Sequence, residues 1–206
     1  MSKGYNLKDN VIIIERDLNE LDFFVLDFLE ILKKHSDYLV VSGYVSISTG
    51  RTRATEDVDV LVPLMDKKEF GELFNELRTS GFWCYQGDEV DEIFPYFENM
   101  TSLRMARDDE IFPNIELVPF DKTKKSKDYE FNHFQKIRIE NFEFKIPILE
   151  FEILYKELVL AGKKDVEDAK HLRNFFSDLL DEEKFKECRS IILSEMKNGK
   201  NKNSDK

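Results

Sequence analysis

The chain has 206 residues and carries 42 Asp+Glu against 31 Lys+Arg, a formal charge of −11. A hydrophobic share of 41% that includes 18 phenylalanines is too rich for a disordered acidic chain and points to a packed core. Two cysteines, Cys84 and Cys188, cannot build a disulfide framework, no apolar run approaches the ~18 residues of a membrane span, and the excess negative charge opposes broad, sequence-independent binding to duplex DNA. The polar N-terminus lacks the basic-then-apolar layout of a signal peptide, so the expected setting is the cytoplasm.

Taken in chain order, Leu21, Phe24, Val25, Phe28, Leu29 and Leu32 recur at helical spacing and predict a helix from Asp17 to His35. Asp17 and Glu20 have the spacing of a capping box, and Lys33, Lys34 and His35 suit the negative helix end. Tyr38 to Val41 reads as a short buried strand that breaks at Ser42-Gly43. Asp57 to Val62 is a second strand, stopped by Pro63, and Asp66 is placed to cap a helix closed by Gly81. Ser102 to Ala106 and Ile115 to Val118 follow as strands, with an acidic turn at Asp108-Asp109-Glu110, and Phe134 to Ile146 as a hairpin around Asn141. Lys122 to Lys127 reads as a solvated loop, with contact to a substrate phosphate as the alternative.

After Pro147 the pattern turns helical, over Glu150 to Ala161, Asp165 to Leu180 and Glu182 to Met196. The expected organisation is an α+β core over 1–147, a helical region over 148–198 and a disordered polar tail over 199–206.

The most informative stretch is Asp57-Val58-Asp59-Val60-Leu61-Val62. In a strand the two aspartates share one face, roughly 7 Å apart, while Val58 and Val60 point to the other. Two carboxylates so placed repel unless a cation joins them, and hard oxygen donors suit Mg²⁺, which normally shares its shell with substrate phosphates. Asn114-Ile115-Glu116-Leu117-Val118 offers a third carboxylate flanked by apolar residues, with Asp121 as its rival. The histidines His35, His133 and His171 lack zinc-ligand spacing, and no Ser-His-Asp or Cys-His arrangement is visible.

Ser42-Gly43-Tyr44-Val45 followed by Arg53-x-Thr55-x-Asp57-Val58-Asp59, with Glu116 downstream, resembles the nucleotidyltransferase superfamily, the polymerase-beta-like fold. Within it, the pattern looks like the prokaryotic branch of AbiEii-type proteins. Lys156 followed by Lys164-Asp165-Val166-Glu167-Asp168 resembles a second block of that branch. The resemblance implies a nucleotidyltransferase-like mixed β-sheet flanked by helices, with a C-terminal helical region. It further implies Asp57, Asp59 and Glu116 as ligands of two Mg²⁺ ions. The amides of Ser42 and Gly43 would cradle an NTP triphosphate, with Arg53, Lys156 and Lys164 as further phosphate contacts.

The implied reaction moves an NMP from the NTP to a hydroxyl acceptor, on a small molecule, RNA or protein, and releases pyrophosphate. Ser42 stands where the family usually has glycine, so its side chain either restricts the phosphate or donates to it. Local alternatives are pairing of Arg53 with Glu56 or Asp57, an exposed helix position for Lys156, and an N-cap role for Asp165. The alternative function is a non-catalytic partner protein of this fold, such as one half of a toxin–antitoxin pair.

Overall fold

The computed structural model describes residues 3–203, with side chains as far as Lys197. The chain begins with a hairpin that the sequence pattern did not announce, β1 (Tyr5–Lys8) and β2 (Val11–Ile14). Asp9 and Asn10 join them at φ of 51° and 64°, the left-handed backbone that a tight hairpin turn needs and that Asp and Asn tolerate. Helix α1 (Glu20–Leu32) follows, but its cap is Asn19 rather than Asp17. The Asn19 side chain accepts from Asp22 N, and Asp22 returns the bond to Asn19 N, so the capping box sits two residues later than the sequence spacing implied.

Next come β3 (Leu39–Val40), a short helix α2 (Gly43–Ser48), β4 (Asp57–Pro63) and α3 (Lys67–Thr79), whose Asp66/Glu69 capping box is the expected one. The middle of the chain adds β5 (Phe82–Cys84), α4 (Val90–Glu98), β6 (Leu103–Arg107) and β7 (Asn114–Phe120). The lysine-rich stretch enters a helix, α5 (Lys125–Asn132), instead of remaining a loop to Lys127. Strands β8 (Phe134–Ile139) and β9 (Phe142–Pro147) form the anticipated hairpin.

Two sheets result, in the orders β1-β2-β8-β9 and β3-β4-β7-β6-β5. This is the expected α+β class, with mixed sheets flanked by helices, and it divides the strands between two sheets. In the larger sheet β4 and β7 are parallel and adjacent, and β6 runs antiparallel to β7. Val58, Val60 and Val62 are fully buried on one face of β4, each contributing roughly 1.5–3 kcal/mol of burial. On the opposite face Leu61 packs with Leu39 and Phe120, so only the Asp57–Asp59 end of that face is left for polar work.

Helix α6 (Leu149–Tyr155) runs into a π-helical segment, Lys156–Leu160, that ends at Ala161 in the left-handed region. Helix α7 (Lys163–Phe175) stops short of the expected Leu180. Helix α8 (Glu182–Asn203) continues into the stretch expected to be a tail, whose last part, 204–206, lies outside the described residues. Among the described residues no helix is long and apolar enough to cross a membrane.

One buried polar cluster ties α1 to α2. Asp22 is fully buried, takes two bonds from Arg16 (2.6 and 2.8 Å) and one from the Tyr44 hydroxyl (2.5 Å). Burial alone would raise its pKa, but Arg16 and Tyr44 outweigh that and hold the carboxyl below its ordinary value. Replacing Asp22 by Ala strands the partly buried Arg16 and the buried Tyr44 hydroxyl without their common acceptor. The expected loss is about 3–5 kcal/mol of unfolding free energy in a urea melt at pH 7.

Candidate active site

The register of β4 and β7 decides where the carboxylates meet. Asp57 pairs with Asn114, and Asp59 pairs with Glu116 on the next strand. Because parallel partners in register share a face, Asp57, Asp59 and Glu116 stand together at the open end of the sheet. Glu116 is also opposite Arg104 of β6, whose guanidinium is 3.4 Å from it. The rival Asp121 lies beyond the end of β7, where its carboxylate is taken by the amide and hydroxyl of Thr123 (2.9 and 2.5 Å).

Burial, then the charges of Asp57 and Glu116, push the Asp59 pKa up to about 6. The Ser42 hydroxyl donates to Asp59 and Lys127 acts in the same downward direction, without cancelling the rise. A hard divalent cation would relieve this repulsion, and an all-carboxylate donor set fits one. Among the described residues no three such side chains converge into a ready-made metal cage, so a cation held here would need oxygens from a substrate to complete its shell.

The Ser42-Gly43 turn lies next to this row. Ser42 has φ 63° and ψ −131°, a conformation that glycine adopts freely and other residues only under strain. Gly43 leaves room for Arg53: a Cβ at position 43 would lie 2.1 Å from the Arg53 Nη2 atom. The guanidinium is therefore laid across the turn. Its far end is fixed by Asp168, fully buried on α7, which is 3.2 Å from Arg53 Nη2 and also pairs with Arg51 and with Lys156 at 3.4 Å. The Arg53 Nε is buried with no acceptor.

Lys164 reaches the site, lining a cleft of about 360 Å³ with Arg53, Thr55 and Asp57. Lys156 does not. It is fully buried between Glu152 (3.2 Å) and Asp168, so it holds Asp168 in place instead of facing the cleft. The lysine found in contact with the other side of the row is Lys127, which lines a smaller cavity of about 150 Å³ with Ser42, Asp59, Glu130 and Tyr155. Burial works against the charge of Lys127, but Glu130 at 2.8 Å and the Tyr155 ring 4.5 Å away keep its pKa above the ordinary lysine value. Arg107, a weaker acceptor-contact candidate, is engaged by Asp27 and sits over the Phe24 ring.

No protein-family model matches the chain, and no curated protein sequence does. Among solved structures, the chain is similar to the lincosamide antibiotic adenylyltransferase LnuA in its lincomycin-bound form, with a TM-score of 0.50 at 13% identity over 78% of this chain and 99% of that one. The fold is that of the nucleotidyltransferases. Two further similar structures are an antigenic nucleotidyltransferase-like protein from Paracoccidioides brasiliensis (TM-score 0.47, 18% identity, 76% of this chain and 75% of that one) and the antibiotic-resistance factor ANT(2'')-Ia (TM-score 0.49, 10% identity, 90% and 98%).

On this nucleotidyltransferase fold the structure brings together Asp57, Asp59, Glu116, Ser42, Gly43, Arg53 and Lys164, and it leaves Lys156 out. The sequence reading assigned no role to Arg51, Lys127 or Tyr155. Lys127 carried a signal, since it and Glu130 lie three apart and turn inward together on α5.

Two expectations follow for the ligand-free protein. An Asp whose folded pKa lies near 6, above the unfolded 3.8, disfavours folding once ionised, so the penalty grows from pH 3.8 to 6 and is complete above it. Asp59→Asn should therefore raise stability by up to about 3 kcal/mol at pH 7.5 and leave it unchanged near pH 4, as read by thermal melts at the two pH values. Ser42→Gly should relieve the strained backbone by roughly 1 kcal/mol in the same melts, while Ser42→Ala, which keeps the strain, should show no such gain.

Proposed function

We propose that this protein is an Mg²⁺-dependent nucleotidyltransferase that moves an NMP from an NTP to a hydroxyl acceptor. The observation that supports this most is the in-register row of Asp57, Asp59 and Glu116 beside the Ser42-Gly43 turn, with a guanidinium fixed across that turn. Asp57, Asp59 and Glu116 would hold the metal, which we read as two Mg²⁺ ions. Bound there, Mg²⁺ neutralises phosphate charge and lowers the pKa of a nearby hydroxyl.

The chain's own residues supply the rest. The Arg53 guanidinium, with an unused buried donor, binds a phosphate oxygen, and the Ser42 and Gly43 amides face the same group. Lys164 and Lys127 add positive charge from the two sides of the row. The acceptor oxygen forms a bond to the α-phosphorus as the bond to pyrophosphate breaks, and the hydroxyl proton passes to a carboxylate of the row. For affiliation we propose the AbiEii-type prokaryotic branch, on the Lys164-Asp165-Val166-Glu167-Asp168 block, and for location the cytoplasm.

Calorimetric titration of the four NTPs with and without Mg²⁺ tests the reading. Wild-type protein should bind at least one NTP only with Mg²⁺, and Asp57→Asn/Asp59→Asn should lose that binding while remaining folded. Because Asp59 takes up a proton near pH 6, the metal-dependent affinity should fall as the buffer is moved from pH 7.5 to 5.5. Binding that ignores both Mg²⁺ and the double substitution would remove the transferase assignment in favour of a non-catalytic partner protein.

A further inference from the structure

Next to the Asp57 cleft lies a larger one of about 770 Å³, bounded by α1, residues 53–55 and the connection from β6 to β7. The two clefts share Arg53, Ala54 and Thr55 as a common wall, so a molecule seated in the larger one borders the carboxylate row. Its size is that of a small-molecule site. One side is apolar, formed by Leu21, Phe23, Phe112 and Pro113, and the Phe23 and Phe112 rings are 50% and 54% exposed. The rim that carries Phe112 is fastened from below: Trp83 Nε1 donates to the Glu110 carbonyl (2.9 Å), and the Tyr85 hydroxyl donates to that of Ile111.

The other side holds two arginines and two glutamates, and their charges do not cancel within the cleft. Arg107 is paired with Asp27 and Arg53 with Asp168, both outside the lining. Glu20 and Glu110 form no ion pair among the described residues, which leaves two solvent-facing carboxylates opposite exposed rings. An ammonium group with an adjoining ring answers both features, through charge attraction to the glutamates and ring contact with the phenylalanines.

We propose that this cleft is the acceptor site, and that the acceptor is a cationic, ring-bearing amino alcohol. Its hydroxyl would point over Thr55 toward Asp57, and its ammonium group would lie between Glu20 and Glu110. The acceptor role rests on the nucleotidyl-transfer reading above, whereas binding of the amine does not.

The test uses the full chain, first without nucleotide or Mg²⁺. Three probes share one ring and one hydroxyl: L-phenylalaninol (cationic), N-acetyl-L-phenylalaninol (neutral) and L-3-phenyllactate (anionic). Binding is read by calorimetry and by the emission of Trp83, the single tryptophan, which lies against the rim. The amine should bind at least roughly tenfold more tightly than the neutral analogue, and the anion most weakly. Glu20→Gln/Glu110→Gln should level that ranking, and Phe23→Ala/Phe112→Ala should weaken the amine and the neutral analogue alike. All four side chains are exposed, so circular dichroism should show an intact fold in both variants.

Equal affinities, a preference for the anion, a ranking that survives the glutamate substitutions, or no binding by any probe would overturn the inference. If the amine binds but no NTP does with Mg²⁺, the acceptor role is overturned together with the transfer reading. If an NTP binds and the amine does not, only this inference falls.

Discussion

The arrangement around the site depends on one buried carboxylate. Asp168 has no exposed surface and draws Arg51, Arg53 and Lys156 toward it, three cations from two distant parts of the chain. Glu167 and Glu152 balance the remaining charge, so the cluster as a whole is close to neutral. Removing one ion from such a group leaves the others buried and unpaired, which costs several kcal/mol, so the cluster behaves as a unit. Through it the C-terminal helices determine where the Arg53 guanidinium lies, although Arg53 itself belongs to the loop before β4. On the opposite side, Tyr44 of α2 is tied to Asp22 of α1, so the short helix that starts at the turn is held at both flanks.

The carboxylate row has the opposite energetics. Asp57, Asp59 and Glu116 repel one another in the ligand-free protein, and Asp59 is the member whose ionisation burial opposes most. The strand tolerates them because Val58, Val60 and Val62 bury completely on the other face, and because Leu61 closes the acidic face after two residues. Residues that weaken the fold while waiting for a ligand are typical of sites selected for function over stability.

The legible parts of the sequence were those in which local chemistry and tertiary packing agree. The alternation of Asp57 to Val62 located both the strand and its polar face, and Asp66 with Glu69 located a helix start. The hairpin around Asn141 followed from alternation on both sides of a turn. Where several residues compete locally, sequence alone misplaced the boundary, as with Asp17 and Asn19 before α1. The β1–β2 hairpin owes its place to a parallel pairing with β8, more than a hundred residues away, which no local pattern encodes. Lys156 illustrates a different limit. A lysine in an apolar helical series reads the same whether it faces solvent or a buried carboxylate, and only the fold reveals Asp168 beside it.

The π-helical segment after α6 has a consequence for chain length. From Lys156 to Leu160 the backbone carries one more residue per turn than an α-helix would, and the Ala161 amide closes the segment on the Lys156 carbonyl (2.9 Å). Loss of a single residue there would restore regular helix but rotate everything that follows by about 100° and shift it by about 1.5 Å. Asp168 would then point away from Arg53. Val159 and Leu160 are partly exposed and would be expected to accept many substitutions. A one-codon deletion at the same place would disconnect the helical region from the turn, so the gene has more freedom there in the identity of its residues than in their number.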